Sequence, residues 1–119
     1  MNNFRDLKVW HKGIDLAVSV YKVAAELPAS ERFNLVSQMQ RAAVSIPSNI
    51  AEGCGRHSDP AFDSFLSISL GSAYELETQA IISQRLGFIT EPIFNNLQNQ
   101  IVEVQKMTYG LLNRSNKAA

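Results

Sequence analysis

The sequence has a single cysteine, Cys54, two histidines, one tryptophan and no surplus of either charge: 11 Lys and Arg stand against 11 Asp and Glu in 119 residues. One cysteine cannot close an intrachain disulfide, so no covalent staple contributes to folding. Two histidines on separate segments, His11 and His57, with one thiol, leave no metal-ligand spacing. A zero charge balance excludes a uniformly basic nucleic-acid binder, and any phosphate contact must come from cations gathered locally. No apolar run reaches the roughly 20 residues that a membrane helix needs. Asn-Gly and Asp-Gly hairpin signals and sustained two-residue alternation are missing too, which removes support for strands. The start, from Met1 to Asp6, leads into charged residues without an apolar leader core, and with the lone cysteine this places the expected compartment in the cytoplasm.

What remains is 45% hydrophobic and 18% charged, enough apolar material for one core over residues 1–119. Punctuation predicts four helices, at about 7–27, 31–54, 59–86 and 91–113. Pro28-Ala29-Ser30 separates the first pair, with Ser30 read as a cap. Gly53-Cys54-Gly55 ends the second. Ser58-Asp59-Pro60 and Thr90-Glu91-Pro92 each pair a capping side chain with a proline in the first turn. The last residues, Arg114 to Ala119, read as a frayed tail. The expected fold class is all-α.

The first helix carries two apolar seams at three- and four-residue steps. Leu7, Trp10, Ile14, Ala17, Tyr21 and Ala24 form one; Val9, Leu16, Val20, Val23 and Leu27 form the other. Its polar arc is narrow: Lys8, Asp15, Ser19, Lys22 and Glu26. Both seams cannot face one partner, so either the helix is sunk deep in its own bundle or one seam meets another copy. Val9, Leu16, Val20, Val23 and Leu27 are the expected oligomer interface.

The second helix separates an apolar seam (Val36, Met39, Ala43, Ile46, Ile50, Cys54) from a polar face of Asn34, Gln38, Arg41, Ser45, Asn49, Glu52 and Arg56. Pro47 lies inside it and predicts an irregularity near Val44 to Pro47, because it removes one backbone bond and crowds the carbonyl four residues back. In the third, Phe62, Phe65, Leu66, Ala73, Leu76, Ala80 and Ile81 supply the core seam, and Ser69, Gly71 and Ser72 read as a small-residue patch admitting a close backbone. Phe94, Leu97, Ile101, Val104, Met107 and Leu111 are the seam of the fourth, with Asn95, Asn96, Gln98, Asn99 and Gln100 outward as solvated surface.

Chemistry is sparse. Cys54 and His57 are near neighbours without an orienting group, the glycines beside Cys54 lack the strand and lysine of a phosphate loop, and Glu75 and Glu77 point in different directions on a helix. No catalytic residue, metal, cofactor or small-molecule substrate is expected. The polar face admits two readings. Arg41, Asn49, Glu52 and Arg56, joined by Lys8, Lys12 and Lys22 of the first helix, could meet an RNA or nucleoprotein, or the same groups could pair internally and hold helices or subunits in register.

Three stretches carry a family resemblance: Phe4-Arg5-Asp6-Leu7-Lys8-Val9-Trp10, Ser45-Ile46-Pro47-Ser48-Asn49-Ile50-Ala51-Glu52-Gly53, and Gly71-Ser72 with Glu75-Leu76-Thr78-Gln79 and Leu86-Gly87. Together they resemble the four-helix bundle family named for proteins encoded in intervening sequences of bacterial 23S ribosomal RNA genes, over roughly residues 4–110. The resemblance implies an antiparallel up-down-up-down bundle that assembles into a ring-shaped homopentamer. That family is similar to the accessory variability determinant of diversity-generating retroelements, a basic pentameric barrel that binds nucleic acid. The zero net charge of this chain departs from that barrel. No catalytic residue comes with the resemblance, and its positions of interest are Arg41, Asn49, Glu52, Gly53 and Arg56.

Overall fold

In the computed structural model, which describes residues 3–114, a short 3-10 turn at Phe4–Asp6 leads into α1 (Lys8–Ala24). A second 3-10 turn at Ala29–Glu31 precedes α2 (Leu35–Cys54), and α3 (Asp59–Arg85) and α4 (Glu91–Leu112) complete the chain. The described residues contain no strand. Each helix packs on its sequence neighbours and α1 closes on α4, which leaves α1 and α3 diagonally opposite across the shared core.

Side-chain pairs fix the directions. Ser45 meets Ser72 while the Ile46 carbonyl meets Ser69, and Met39 meets Ser83, so residue numbers rise along α2 as they fall along α3. Glu77 meets Gln98 and Gln105, and Asp63 meets Arg114, which makes α3 and α4 antiparallel as well. Ser19 with Gln100 and Lys12 with Glu103 give the same sense for α1 and α4. The result is an antiparallel four-helix bundle 46 Å long and 24 by 19 Å across.

The start signals of α3 and α4 act as the sequence implies. Ser58 Oγ accepts from the Ala61 N–H and Thr90 Oγ1 from the Ile93 N–H, with a proline in each first turn. Gly87 adopts φ +77°, and the Phe88 N–H returns to the Ser83 carbonyl at 2.9 Å, a glycine-dependent stop for α3. The junction between α1 and α2 differs from expectation. Ser30 falls in the second 3-10 turn instead of capping, α1 ends at Ala24, and α2 begins only at Leu35, with Asn34 as an N-cap whose side chain makes no capping bond. Pro28 and the sharp turn that follows consume the residues assigned by pattern to the helix ends.

The core is filled by Leu16, Val20, Met39, Ile46, Ile50, Leu66, Leu76, Leu97, Ile101 and Val104, all at most 1% exposed. This overturns the interface assignment on α1. Val9, Leu16, Val20 and Leu27 are buried within one chain and Val23 packs against that same core, so this seam faces α2 and α4 of its own bundle. The other seam divides: Ala24 is buried, Leu7, Trp10 and Ala17 are half-buried, and Ile14 and Tyr21 are exposed. Periodicity finds two seams equally well, and only the positions of α2 and α4 decide which one is inside.

The Ser45–Gly53 run is mostly a packing device. The helix is not interrupted at Pro47, whose ring is buried against Gly13 of α1, where an added Cβ would lie 3.3 Å from Pro47 Cβ. Ile46 and Ile50 enter the core, and the Ile46 carbonyl also accepts from Ser69 Oγ at 2.9 Å. Gly53 brings α2 against α3: a Cβ there would sit 2.9 Å from Phe65 Cβ and 3.0 Å from Phe62 Cδ1. Gly71, by contrast, lies on open surface with no atom within 4 Å of its would-be Cβ, so it serves no close approach inside the chain. Its neighbours Ser69 and Ser72 do face α2.

Candidate functional site

Most of the polar residues singled out in the sequence are engaged within the chain. Asn49 Nδ2 donates to the Ser45 carbonyl at 2.8 Å and to Ser45 Oγ at 2.9 Å, while Ser45 Oγ lies 2.8 Å from Ser72 Oγ, so Asn49 ties α2 to itself and to α3. Glu52 pairs with Arg56 one turn on at 3.2 Å, and the Arg56 guanidinium stacks 4.6 Å from the Phe65 ring. Lys12 reaches Glu103 of α4 at 3.4 Å. Both ion pairs are surface contacts of modest worth, about 0–1 kcal/mol each. The α4 amides are less solvated than their pattern implies. Gln98 Nε2 donates to Glu77 at 2.6 Å and Gln105 Nε2 to its other oxygen at 2.8 Å, while Gln100 accepts from Ser19 and donates to Asn96. Nor is Arg114 frayed: it bonds Asp63 at 2.8 Å and the Leu111 carbonyl, pairs with Asp59 at 3.7 Å, and lies over Phe62. The rest of that expected tail, 115–119, is outside the described residues.

Of the seven candidate partner-binding residues, Arg41, Lys8 and Lys22 make no side-chain ion pair or hydrogen bond among the described residues, and all three are exposed. Arg41 lies in the middle of the outward face of α2. It borders an open hollow of about 500 Å³ between α1 and α2, lined also by Tyr21, Ser37, Gln40, Val44, Ser45 and Ser48. Lys22 borders an adjoining hollow of about 510 Å³ with Ala17, Val18, Tyr21 and Val44. No carboxylate lines either one. Sequence reasoning missed Ser37, Gln40 and Ser48 as company for Arg41, because their common wall exists only once Tyr21 of α1 lies across from α2.

Large apolar side chains are left outside on α1 and α3, besides Phe33 before α2 and Tyr109 on α4. On α1, Ile14, Val18 and Tyr21 stand 38%, 50% and 50% exposed, with Val44 of α2 beside them. On α3, Ile68, Tyr74 and Ile82 are 44–52% exposed, with Leu86 60% exposed just past its end. A usable signal existed for the first group, since Val18 fits neither of the two seams.

Cys54 is a buried free thiol at the end of α2, and no hydrogen bond joins it to the exposed His57. Burial pushes its pKa above the ordinary value. The folded state therefore holds the proton more tightly than the unfolded chain. That contribution to stability is intact below the ordinary thiol range of about 8.5 and is lost as pH rises through the folded value. A thiol reagent at pH 8 should label native protein many-fold more slowly than urea-unfolded protein, and equal rates would contradict the burial. Among the described residues no three or more His, Cys, Asp and Glu side chains gather to hold a metal ion, and no helix is long and apolar enough to cross a membrane.

The fold and surface thus define a small antiparallel four-helix bundle with a polar cationic hollow and large apolar side chains exposed on α1 and α3. The model of the family described as 23S rRNA-intervening sequence protein matches residues 5–110, and the chain belongs to that family. It is similar to a crystal structure of a protein with unknown function from the S23 ribosomal protein family of Bacteroides thetaiotaomicron. That similarity has a TM-score of 0.82 and 26% identity, covering 87% of this chain and 97% of that one. No curated protein matches.

Proposed function

We propose that this protein is a non-enzymatic, homo-oligomeric interaction module that binds RNA. The observation that carries the oligomeric half is that large apolar side chains stay exposed on both α1 (Ile14, Val18, Tyr21) and α3 (Ile68, Tyr74, Ile82), helices that are not adjacent in the bundle. Exposed apolar patches mark contact surfaces, and two different patches join copies head to tail, an arrangement that closes into a ring or runs on as a filament. Five copies is the number that the family resemblance implies. The RNA half rests on Lys8, Lys22 and Arg41, cations without partners among the described residues, which a ring repeats into a multivalent surface despite zero net charge.

Sedimentation at micromolar concentration tests the first half, and a monomer alone would overturn it. A salt-titrated binding assay with RNA tests the second: phosphate contacts make affinity fall steeply with salt. A second reading, an oligomeric scaffold without RNA affinity, is favoured by the internal engagement of Asn49, Glu52, Arg56 and Lys12. Absence of RNA binding at low salt would select it. The same protein should remain stable and oligomeric without any added metal or cofactor.

A further inference from the structure

Resting on the oligomeric half of the reading above, we infer that one end of the bundle is a second contact surface, and that its occupant is the same end of another copy. Two rings then pair rim to rim. Ser83 Oγ donates to Met39 Sδ, which sets the start of α2 beside the end of α3, so the α1–α2 and α3–α4 turns lie together at this end. There Phe33 is 85% exposed, more than any other large apolar side chain among the described residues, and Leu86 is 60% exposed. The Arg32 guanidinium lies 5.8 Å from the centre of the Phe33 ring. Aromatic side chains and arginine are the types enriched where proteins meet. Copies joined along α1 and α3 leave these turns uncovered, and rotation about the ring axis brings the same end of every copy to one rim.

The charges at this end fit a copy of itself. Glu26, Glu31 and Arg32 stand on the α1–α2 turn, and Arg85 and Glu91 flank the α3–α4 turn. None of the five makes a side-chain ion pair or hydrogen bond among the described residues, whereas at the opposite end Arg56 pairs with Glu52 and Arg114 with Asp59 and Asp63. A two-fold axis sets the α1–α2 turn of each copy against the α3–α4 turn of the other, and every contact then occurs twice. Phe33 meets Leu86, Arg32 meets Glu91 and Arg85 meets Glu31. A phosphate backbone or an anionic lipid surface fits less well, because three carboxylates repel it. The area is small: the bundle is 24 by 19 Å across, less than the roughly 800 Å² that each partner gives to a standard interface. Two lone chains therefore part at micromolar concentration, while a ring repeats the contact around its rim and holds by multivalency.

The test is sedimentation of the full-length protein at micromolar concentration beside Phe33→Glu, Arg32→Glu, Glu91→Arg and the double variant with both charge reversals. The parent is expected as a double ring. Phe33→Glu and each single charge reversal should halve the particle mass to one ring. The double variant exchanges the two sides of the Arg32–Glu91 contact and should restore the double ring, a rescue that a merely structural role of either residue would not give. Thermal melts of the variants should match the parent, since Arg32, Phe33 and Glu91 are exposed. A parent that assembles without rim pairing, as one ring or an open filament, overturns the end contact while the oligomeric reading stands. A monomeric parent overturns both. A double ring that survives Phe33→Glu is held elsewhere, which overturns this surface. Charge reversals that halve the mass without rescue in the double variant overturn the Arg32–Glu91 pairing. A Phe33→Glu protein that falls to monomers makes this end part of the ring joint, and that also overturns the proposal.

Discussion

Gly53→Ala is expected to destabilise the protein by about 1–3 kcal/mol, the range for forcing an extra methyl into a packed contact. The added Cβ would approach Phe65 Cβ to 2.9 Å and Phe62 Cδ1 to 3.0 Å, and Phe65 Cβ lies on a helical backbone, so α2 and α3 must separate. Retreat of α3 disturbs more than this contact, because Phe62 also supports Arg114, whose bond to Asp63 fastens the end of α4. Urea unfolding at fixed protein concentration reads the effect. The matched control is Gly71→Ala, also mid-bundle on a helix but open to solvent. There alanine relieves the backbone entropy of glycine and should stabilise by about 0.5–1 kcal/mol. A loss at Gly53 no larger than the change at Gly71 would mean that the close contact of α2 with α3 does not decide the effect.

The second large effect concerns assembly. Val18→Glu on α1 and Ile82→Glu on α3 each place a charge on an apolar face without touching the core, since the native side chains are 50% and 44% exposed. Each variant alone should sediment as a monomer, because a ring or filament needs both faces. Mixed in equal amounts they should form a one-to-one pair and nothing larger: the intact α3 face of the first accepts the intact α1 face of the second. If either variant by itself still forms dimers, the faces join like to like and the head-to-tail arrangement is wrong. Buried charge at such a joint costs several kcal/mol, enough to dissociate it at micromolar concentration.

How far the sequence could be read depends on the range of the signal. The starts of α3 and α4 were legible because a cap and a proline act within one turn, and Ser58, Pro60, Thr90 and Pro92 do so here. The start of α2 was not, since Ser30 has the chemistry of a cap but the 3-10 turn at Ala29–Glu31 takes it. Asn49 has the pattern of a partner contact, yet its amide bonds the Ser45 carbonyl and hydroxyl one turn back on its own helix. Gln98 looked like solvated surface, yet it reaches Glu77 across the α3–α4 contact.

By itself, the sequence determined the helical class, the number of helices and the seams from which a core can be made, since these follow from local spacing, caps and breaks. Tertiary structure alone decided which seam of α1 is buried, which cations remain unpaired and that Tyr21 stands opposite Arg41. Those outcomes depend on where neighbouring helices lie in space. A helix with apolar residues on most of its circumference offers several inward faces, and only packing against α2 and α4 selects one. The scarcity of charge and cysteine thus bounded the chemistry, and the bundle then left Arg41 free in a hollow without acids.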